Sequence, residues 1–266
     1  MDLVGAYEVR KFSKNRKMVF DVVDQAIKKH HIKALFELDV TLGREFIRKH
    51  EEKTGEKLSF TGWLMKCISE AINEYKEMNS IRKGKRKYYV FEDIDIGIIV
   101  EREFGGKLVP TKYFMKKVNE KSFREINDEI RKAQGKDLKK TGHMKKENRT
   151  MNFFISLPKF MRKIVWWQIN RNPIMRKRHL GAITVSSIGK YANHGGWGIS
   201  FTSETSHFMI GGIIKKPIVV DDKIVIREVL STTVMIDHYI VDGGPFTKFL
   251  QRLVDLVQSG FGLDGI

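Results

Sequence analysis

Cysteine is nearly absent from this 266-residue sequence, where Cys67 stands alone. One thiol excludes an intrachain disulfide and any cysteine-rich zinc site. It suits a reducing compartment, so a cytoplasmic location is expected. Long apolar runs are missing too: no stretch reaches the roughly 18 uncharged apolar residues of a spanning helix. The most apolar candidate, Met151 to Trp167, is interrupted by Lys159, Arg162 and Lys163. The first residues, Met-Asp-Leu-Val-Gly-Ala-Tyr-Glu, lack the basic segment and apolar run of a signal peptide. A soluble or peripheral protein is the expectation. Acidic residues are few beside the basic ones, 32 against 49, which leaves a net charge of +17. Such a field attracts polyanions, whether nucleic acid, an anionic membrane surface or a phosphate-rich small molecule, and charge alone does not choose among them. Neither an internal repeat nor a low-complexity linker divides the chain, so residues 1–266 read as one domain.

What is present is a mixed pattern of helices and strands. Met18, Val19, Phe20, Val22, Val23 and Ile27 give a loosely helical start, Ile32 to Val40 reads as a strand, and a polar helix follows near Leu42 to Lys53, ended by Thr54-Gly55. Trp63, Leu64, Cys67, Ile68, Ala71 and Ile72 recur at intervals of three and four, a helix with one buried face. Cys67 lies on that face as a core residue rather than a nucleophile, because no activating partner adjoins it. Lys83 to Lys87 makes a turn before three strand-like runs, Tyr88 to Phe91, Ile94 to Val100 and Lys107 to Pro110. Lys116 to Arg149 reads as a long charged helix or a pair of helices. Met151 to His179 holds two tryptophans, three phenylalanines and seven Lys/Arg with no Asp or Glu. It reads as one or two short amphipathic helices with a basic face. Strands at Gly181 to Ser187, Phe208 to Ile214, Ile218 to Val220 and Ile224 to Ile236, then a helix at Pro245 to Val257, complete an α+β fold with a mixed sheet.

One segment carries chemistry. His238-Tyr-Ile-Val-Asp242-Gly243-Gly244 places a histidine at the end of a long apolar strand and just before a helix. The run Val234-Met235-Ile236 would hold the histidine backbone rigidly, and the glycines would permit a tight turn and leave room beside the imidazole. Asp242 would orient the neighbourhood through a buried salt bridge. A lone histidine is more often structural than catalytic, so the string needs support from the rest of the chain.

That support comes from ITVSSIG at Ile183, FMIGGIIKK at Phe208, PIVVDDKI at Pro217 and STTVMIDHYIVDGG at Ser231. Together these resemble the catalytic domain of the 2-oxo-acid dehydrogenase acyltransferases (the dihydrolipoamide acyltransferases), which share a superfamily with chloramphenicol acetyltransferase. SFTGWLMKCISEAINEYKEMNS from Ser59 and IDIGIIVEREFGGKLVP from Ile94 are similar to the family's long helix and paired strands, and Phe201-Thr202-Ser203 after Trp197 is similar to the chloramphenicol branch. The resemblance implies a chloramphenicol acetyltransferase-like fold and a CoA-dependent acyltransferase that uses no metal. In that reading His238 is the general base for an acceptor hydroxyl, thiol or amine, and Ser186 stabilises the oxyanion. Ser187 is the rival one residue away, and Asn193 falls near the same site in the chloramphenicol-type register. Ser187, Asn193 and Gly243 are accordingly candidate substrate contacts. The resemblance gives Asp242 a structural role, paired with Arg16 or, failing that, Arg10. Two-domain members of the superfamily carry two fold copies per chain, so a homotrimer is implied here. Tyr239 replaces the family's usual arginine, and the excursion at about 151–180 replaces a short connection. With no lipoyl or subunit-binding module in the sequence, these departures argue against a resident of a dehydrogenase complex and leave the acceptor open. A catalytically retired member serving as a binding or scaffold protein is the alternative.

The remaining motifs read blandly. His30 and His31 face apart with no carboxylate at ligand spacing, so capping or solvated roles are favoured over a metal site. Arg82 to Lys87 and Lys136 to Lys146 lack the interleaved aromatics of a nucleic-acid surface and read as solvated faces, so no nucleic-acid partner is expected. Gly195, Gly196 and Gly198 lack the strand–turn–helix frame of a dinucleotide loop. The aromatics of 151–180 would pack on the core or on a neighbouring subunit, against weak contact with an anionic membrane surface or a lid over the acceptor.

Overall fold

A computed structural model describes residues 5–13, 16–104, 107–134, 153–189 and 194–264. A six-stranded mixed sheet organises the chain. It comprises β1 (His31–Asp39), β4 (Ile96–Phe104), β5 (Lys107–Met115), β6 (Ile183–Ser187), β7 (Ser206–Val220) and β8 (Lys223–Asp237) in the order β1-β8-β7-β6-β4-β5. Strand β6 runs parallel to both β4 and β7, whereas the other neighbours are antiparallel. A separate hairpin pairs β2 (Ser80–Lys83) with β3 (Lys87–Val90). The α+β architecture with a mixed sheet is as expected.

Helices α2 (Thr41–Thr54), α3 (Phe60–Glu74), α4 (Phe123–Gln134) and α7 (Gly243–Gln258) accompany the sheet. The predicted face of α3 is buried, with Trp63, Cys67, Ala71 and Ile72 fully excluded from solvent beside Phe208 and Phe249. Ser59 caps α3 by accepting from the Gly62 N–H at 3.1 Å, and left-handed Gly55 ends α2, as its sequence anticipates. Burial pushes the Cys67 thiol up to about 12, which fits a core residue and not a nucleophile.

Helix α1 (Arg16–Ala26) meets the excursion, which forms α5 (Lys159–Arg171) and α6 (Pro173–His179). Asn172 breaks the two by capping α6, accepting from the Ile174 and Met175 N–H groups at 3.0 and 3.2 Å. The aromatics of this segment divide. Trp166 is buried against Phe154 with ring centroids 6.2 Å apart, whereas Phe153, Phe160 and Trp167 are exposed. Among the described residues no helix is long and apolar enough to cross a membrane.

Candidate active site

Strand β8 explains why His238 has a fixed backbone. From Val229 to Asp237 every residue is buried, and the strand is hydrogen-bonded on both sides, to β1 and to β7. His238 follows directly, and its N–H donates to the His30 carbonyl at 2.8 Å. Its Nδ1 lies 3.0 Å from the carbonyl oxygen of buried Val241. A carbonyl only accepts, so Nδ1 carries the proton and Nε2 keeps its lone pair. With the side chain 47% exposed, that lone pair is available to a substrate. The geometry thus leaves Nε2 as an exposed hydrogen-bond acceptor. The neighbouring Tyr239 ring meets His30 at 4.8 Å and lies under the Arg82 guanidinium at 4.0 Å.

Asp242 corrects the sequence reading. It occupies the N-cap position of α7 with its side chain 87% exposed, and its ion-pair partner among the described residues is His238, 3.7 Å away. The expected buried bridge to Arg16 is not formed within the chain, because Arg16 is exposed at the start of α1, and Arg10 pairs with Glu8 instead. A carboxylate at a solvated helix N-terminus is stabilised by water and by the helix dipole without a cationic partner. The buried carboxylate of this turn is Asp237, wholly excluded from solvent and bound to Lys29 at 2.5 Å. Gly243 and Gly244 also differ from expectation. Neither has a left-handed φ, and a Cβ added to either would meet no atom within 4 Å. The turn leaves room beside the histidine but does not itself demand glycine.

Ser186 lies on β6, where its hydroxyl oxygen is 2.9 Å from His207 Nε2 on β7. Ser187 is the next residue and is exposed, and Asn193 lies outside the described residues. Burial holds the His207 imidazole down at about 4. Behind it, Glu204 is buried but is kept down at about 2 because Lys112 binds it and the Thr202 hydroxyl donates to it at 2.6 Å. His31 is used on the Glu204 carbonyl at 2.8 Å. Asp237 and His207 were the residues that sequence reasoning missed. A carboxylate ending an apolar strand is a usable signal for the first, whereas nothing local distinguishes the second.

Ser186 and His238 are not together within one chain. Ser186 pairs in register with Met209, and Met209 with Thr233, which precedes His238 by five residues on the far side of β7. Five residues at ~3.3 Å and two strand spacings of ~4.8 Å separate the two by roughly 15–20 Å.

A family model described as the catalytic domain of the 2-oxoacid dehydrogenases acyltransferase matches residues 5–156 and 176–261. The lipoamide acyltransferase component of the branched-chain alpha-keto acid dehydrogenase complex of Bacillus subtilis is 25% identical over 234 residues, covering 86% of this chain and 47% of that protein. The chain thus spans about half the length of the curated relatives it matches. In three dimensions it is similar to a probable dihydrolipoamide acetyltransferase from Listeria monocytogenes, with a TM-score of 0.69, 21% identity and 98% of each chain covered. Chloramphenicol acetyltransferase shares the fold more distantly, with a TM-score of 0.50 at 12% identity over 94% of this chain and 98% of that one. The family match spans most of the sequence, and this chain belongs to the 2-oxoacid dehydrogenase acyltransferase (catalytic domain) family.

Proposed function

We propose that the chain transfers an acyl group between CoA and an acceptor thiol, with His238 as general base and Ser186 of a neighbouring copy as oxyanion donor. The observation that carries this reading is the bond from Nδ1 to the Val241 carbonyl, which leaves Nε2 free to take a proton. Nε2 removes the proton of the attacking thiol, and the thiolate adds to the thioester carbonyl. A tetrahedral oxyanion forms, to which the Ser186 hydroxyl donates. Collapse breaks the carbon–sulfur bond to CoA, and the CoA thiolate takes back the proton held by the imidazolium. The roughly 15–20 Å separation within one chain supports a site shared between copies, and hence the homotrimer. The name of the Bacillus subtilis relative makes dihydrolipoamide the first thiol to test. A cytoplasmic location completes the proposal, resting on the single cysteine.

The test is steady-state transfer from acetyl-CoA to dihydrolipoamide. His238→Ala should lower kcat by the roughly 10²–10⁴-fold typical of a lost general base, with folding checked by circular dichroism. An unchanged kcat would end the mechanism. No turnover of any acyl-CoA by the intact protein would favour the scaffold alternative.

A further inference from the structure

A recess of about 1100 Å³ lies apart from His238, which does not line it. It opens between α1, the turn of the β2–β3 hairpin and α5, and α5 falls within residues 157–175, which the family match leaves out. Its walls are tied together. Buried Arg162 of α5 bonds Asp21 of α1 at 2.6 Å, and Asn170 donates to Gln25 at 2.8 Å. A buried ion pair at a helix–helix contact fixes one arrangement of the two helices, so the recess is preformed.

The lining charge is one-sided. The hairpin turn contributes Lys83, Lys85, Arg86 and Lys87. Lys28 enters from the end of α1, and Lys159, Lys163 and Arg171 enter from α5. Among the described residues none of these cations pairs with a carboxylate. Of the two lining acids, Asp21 is committed to Arg162, which leaves Asp24 alone against them. Unneutralised cations converging on a recess repel one another, and a ligand with several negative charges relieves that repulsion. Ammonium groups, the majority here, suit phosphoryl oxygens as compact point charges. Trp166 and Trp167 add aromatic surface, and the volume is that of a nucleotide-sized ligand rather than a single ion.

The recess also leads toward the catalytic turn. A smaller cavity of about 160 Å³ shares Gln25, Lys28, Gly84 and Asn170 with it and is lined further by Lys29, Arg82 and Arg176. Lys29 holds Asp237 and Arg82 covers Tyr239, the residues on either side of His238.

We infer that this groove is a binding site for a ligand carrying two or more phosphate groups, set beside the acyl-transfer centre. The site stands on charge and shape. Its link to a substrate rests on the acyl-transfer reading, in which the phosphates belong either to the CoA donor or to a phosphorylated acceptor.

The experiment is titration calorimetry of the full chain at about 50 mM salt with two probes, pyrophosphate and adenosine 3′,5′-bisphosphate. Two double variants on different elements are compared, Lys159→Glu with Lys163→Glu and Lys85→Glu with Arg86→Glu. The intact protein should bind both probes, and each double variant should weaken them at least tenfold while circular dichroism is unchanged. His238→Ala should bind both probes as the intact protein does, so a protein that binds phosphate but transfers no acyl group would sink the acyl-transfer reading and not the groove. Kinetics separate the sources. A rise in KM for acetyl-CoA but not for S-acetylpantetheine in the variants assigns the groove to the donor, and no change in either, with probe binding lost, assigns it to the acceptor. The inference fails if the intact protein binds neither probe, if both variants bind them undiminished, or if polyglutamate binds where the phosphates do not.

Discussion

The Ser186 hydroxyl oxygen lies 2.9 Å from His207 Nε2, while the other ring nitrogen, Nδ1, is buried without a hydrogen-bond partner among the described residues. A bare lone pair is cheaper to bury unpaired than an N–H, so the proton belongs on Nε2 and is donated to Ser186. The serine oxygen is thereby satisfied as an acceptor, and its own hydrogen is left to point elsewhere. That arrangement suits a hydroxyl whose task is to donate to an oxyanion.

If Ser186 is the oxyanion donor, as proposed, His207 acts on it as a positioning residue. His207→Phe should lower kcat roughly tenfold with KM for acetyl-CoA unchanged, less than the roughly 10²–10³-fold expected from loss of the donor itself in Ser186→Ala. His207→Gln, whose amide can still donate to the serine, should recover most of the loss. Equal kcat values for His207→Phe and His207→Gln would show that His207 only fills space.

Acid should weaken the fold in two stages. The unfolded chain takes up a proton on a histidine near 6.5, whereas burial keeps His207 neutral until about 4. Stability present above pH 6.5 is thus lost as pH falls toward 4. Glu204 repeats the effect lower down, ionised in the fold to about 2 against an ordinary 4.5, so its contribution is lost between those values. Each shift corresponds to about 3 kcal/mol. Urea unfolding at pH 7, 5 and 3 should show a falling midpoint, and His207→Gln should flatten the step between pH 7 and 5. A wild-type midpoint that does not move between pH 7 and 5 would contradict the burial of neutral His207.

Elements set by local pattern were legible in the sequence. The apolar run of β8, the histidine at its end, the one-faced helix α3 and its Cys67 all follow from spacing. Strand β7 was read as two, Phe208 to Ile214 and Ile218 to Val220, with Pro217 between them. In the structure Pro217 pairs with Ile226 of β8, on a stretch that has outrun β6. That stretch is an edge of the sheet, where proline is tolerated. The partners of charged groups were not legible. Lys29 and Asp237 are 208 residues apart, and Asp21 and Arg162 are 141 apart. The sequence offered Asp242 as the buried carboxylate because it stands in the motif, but its place at the start of α7 exposes it and the strand end buries Asp237 instead. Arg82 to Lys87, read as a solvated face, is exposed from Lys83 onward, yet folding directs that turn toward α5 and makes it one wall of a groove.

The separation of Ser186 from His238 gives the shared site a decisive test. Strand β7 stands between them, and no side-chain rotation closes roughly 15–20 Å. If both residues serve one reaction, His238 of one copy must meet Ser186 of another, and the interface must bury more than the roughly 1,000 Å² of a specific contact. His238→Ala and Ser186→Ala proteins should each be nearly inactive and should each sediment as a trimer. Unfolded together and refolded as an equal mixture, they should form mixed trimers in which some interfaces hold an intact His238 facing an intact Ser186. Activity should then return to a fraction of the intact protein's. Mixing the folded proteins without unfolding should restore little, because established trimers exchange subunits slowly. A refolded mixture that stays inactive although mixed trimers form would place the two residues in separate reactions. An intact protein that is active while sedimenting as a monomer would refute the shared site directly.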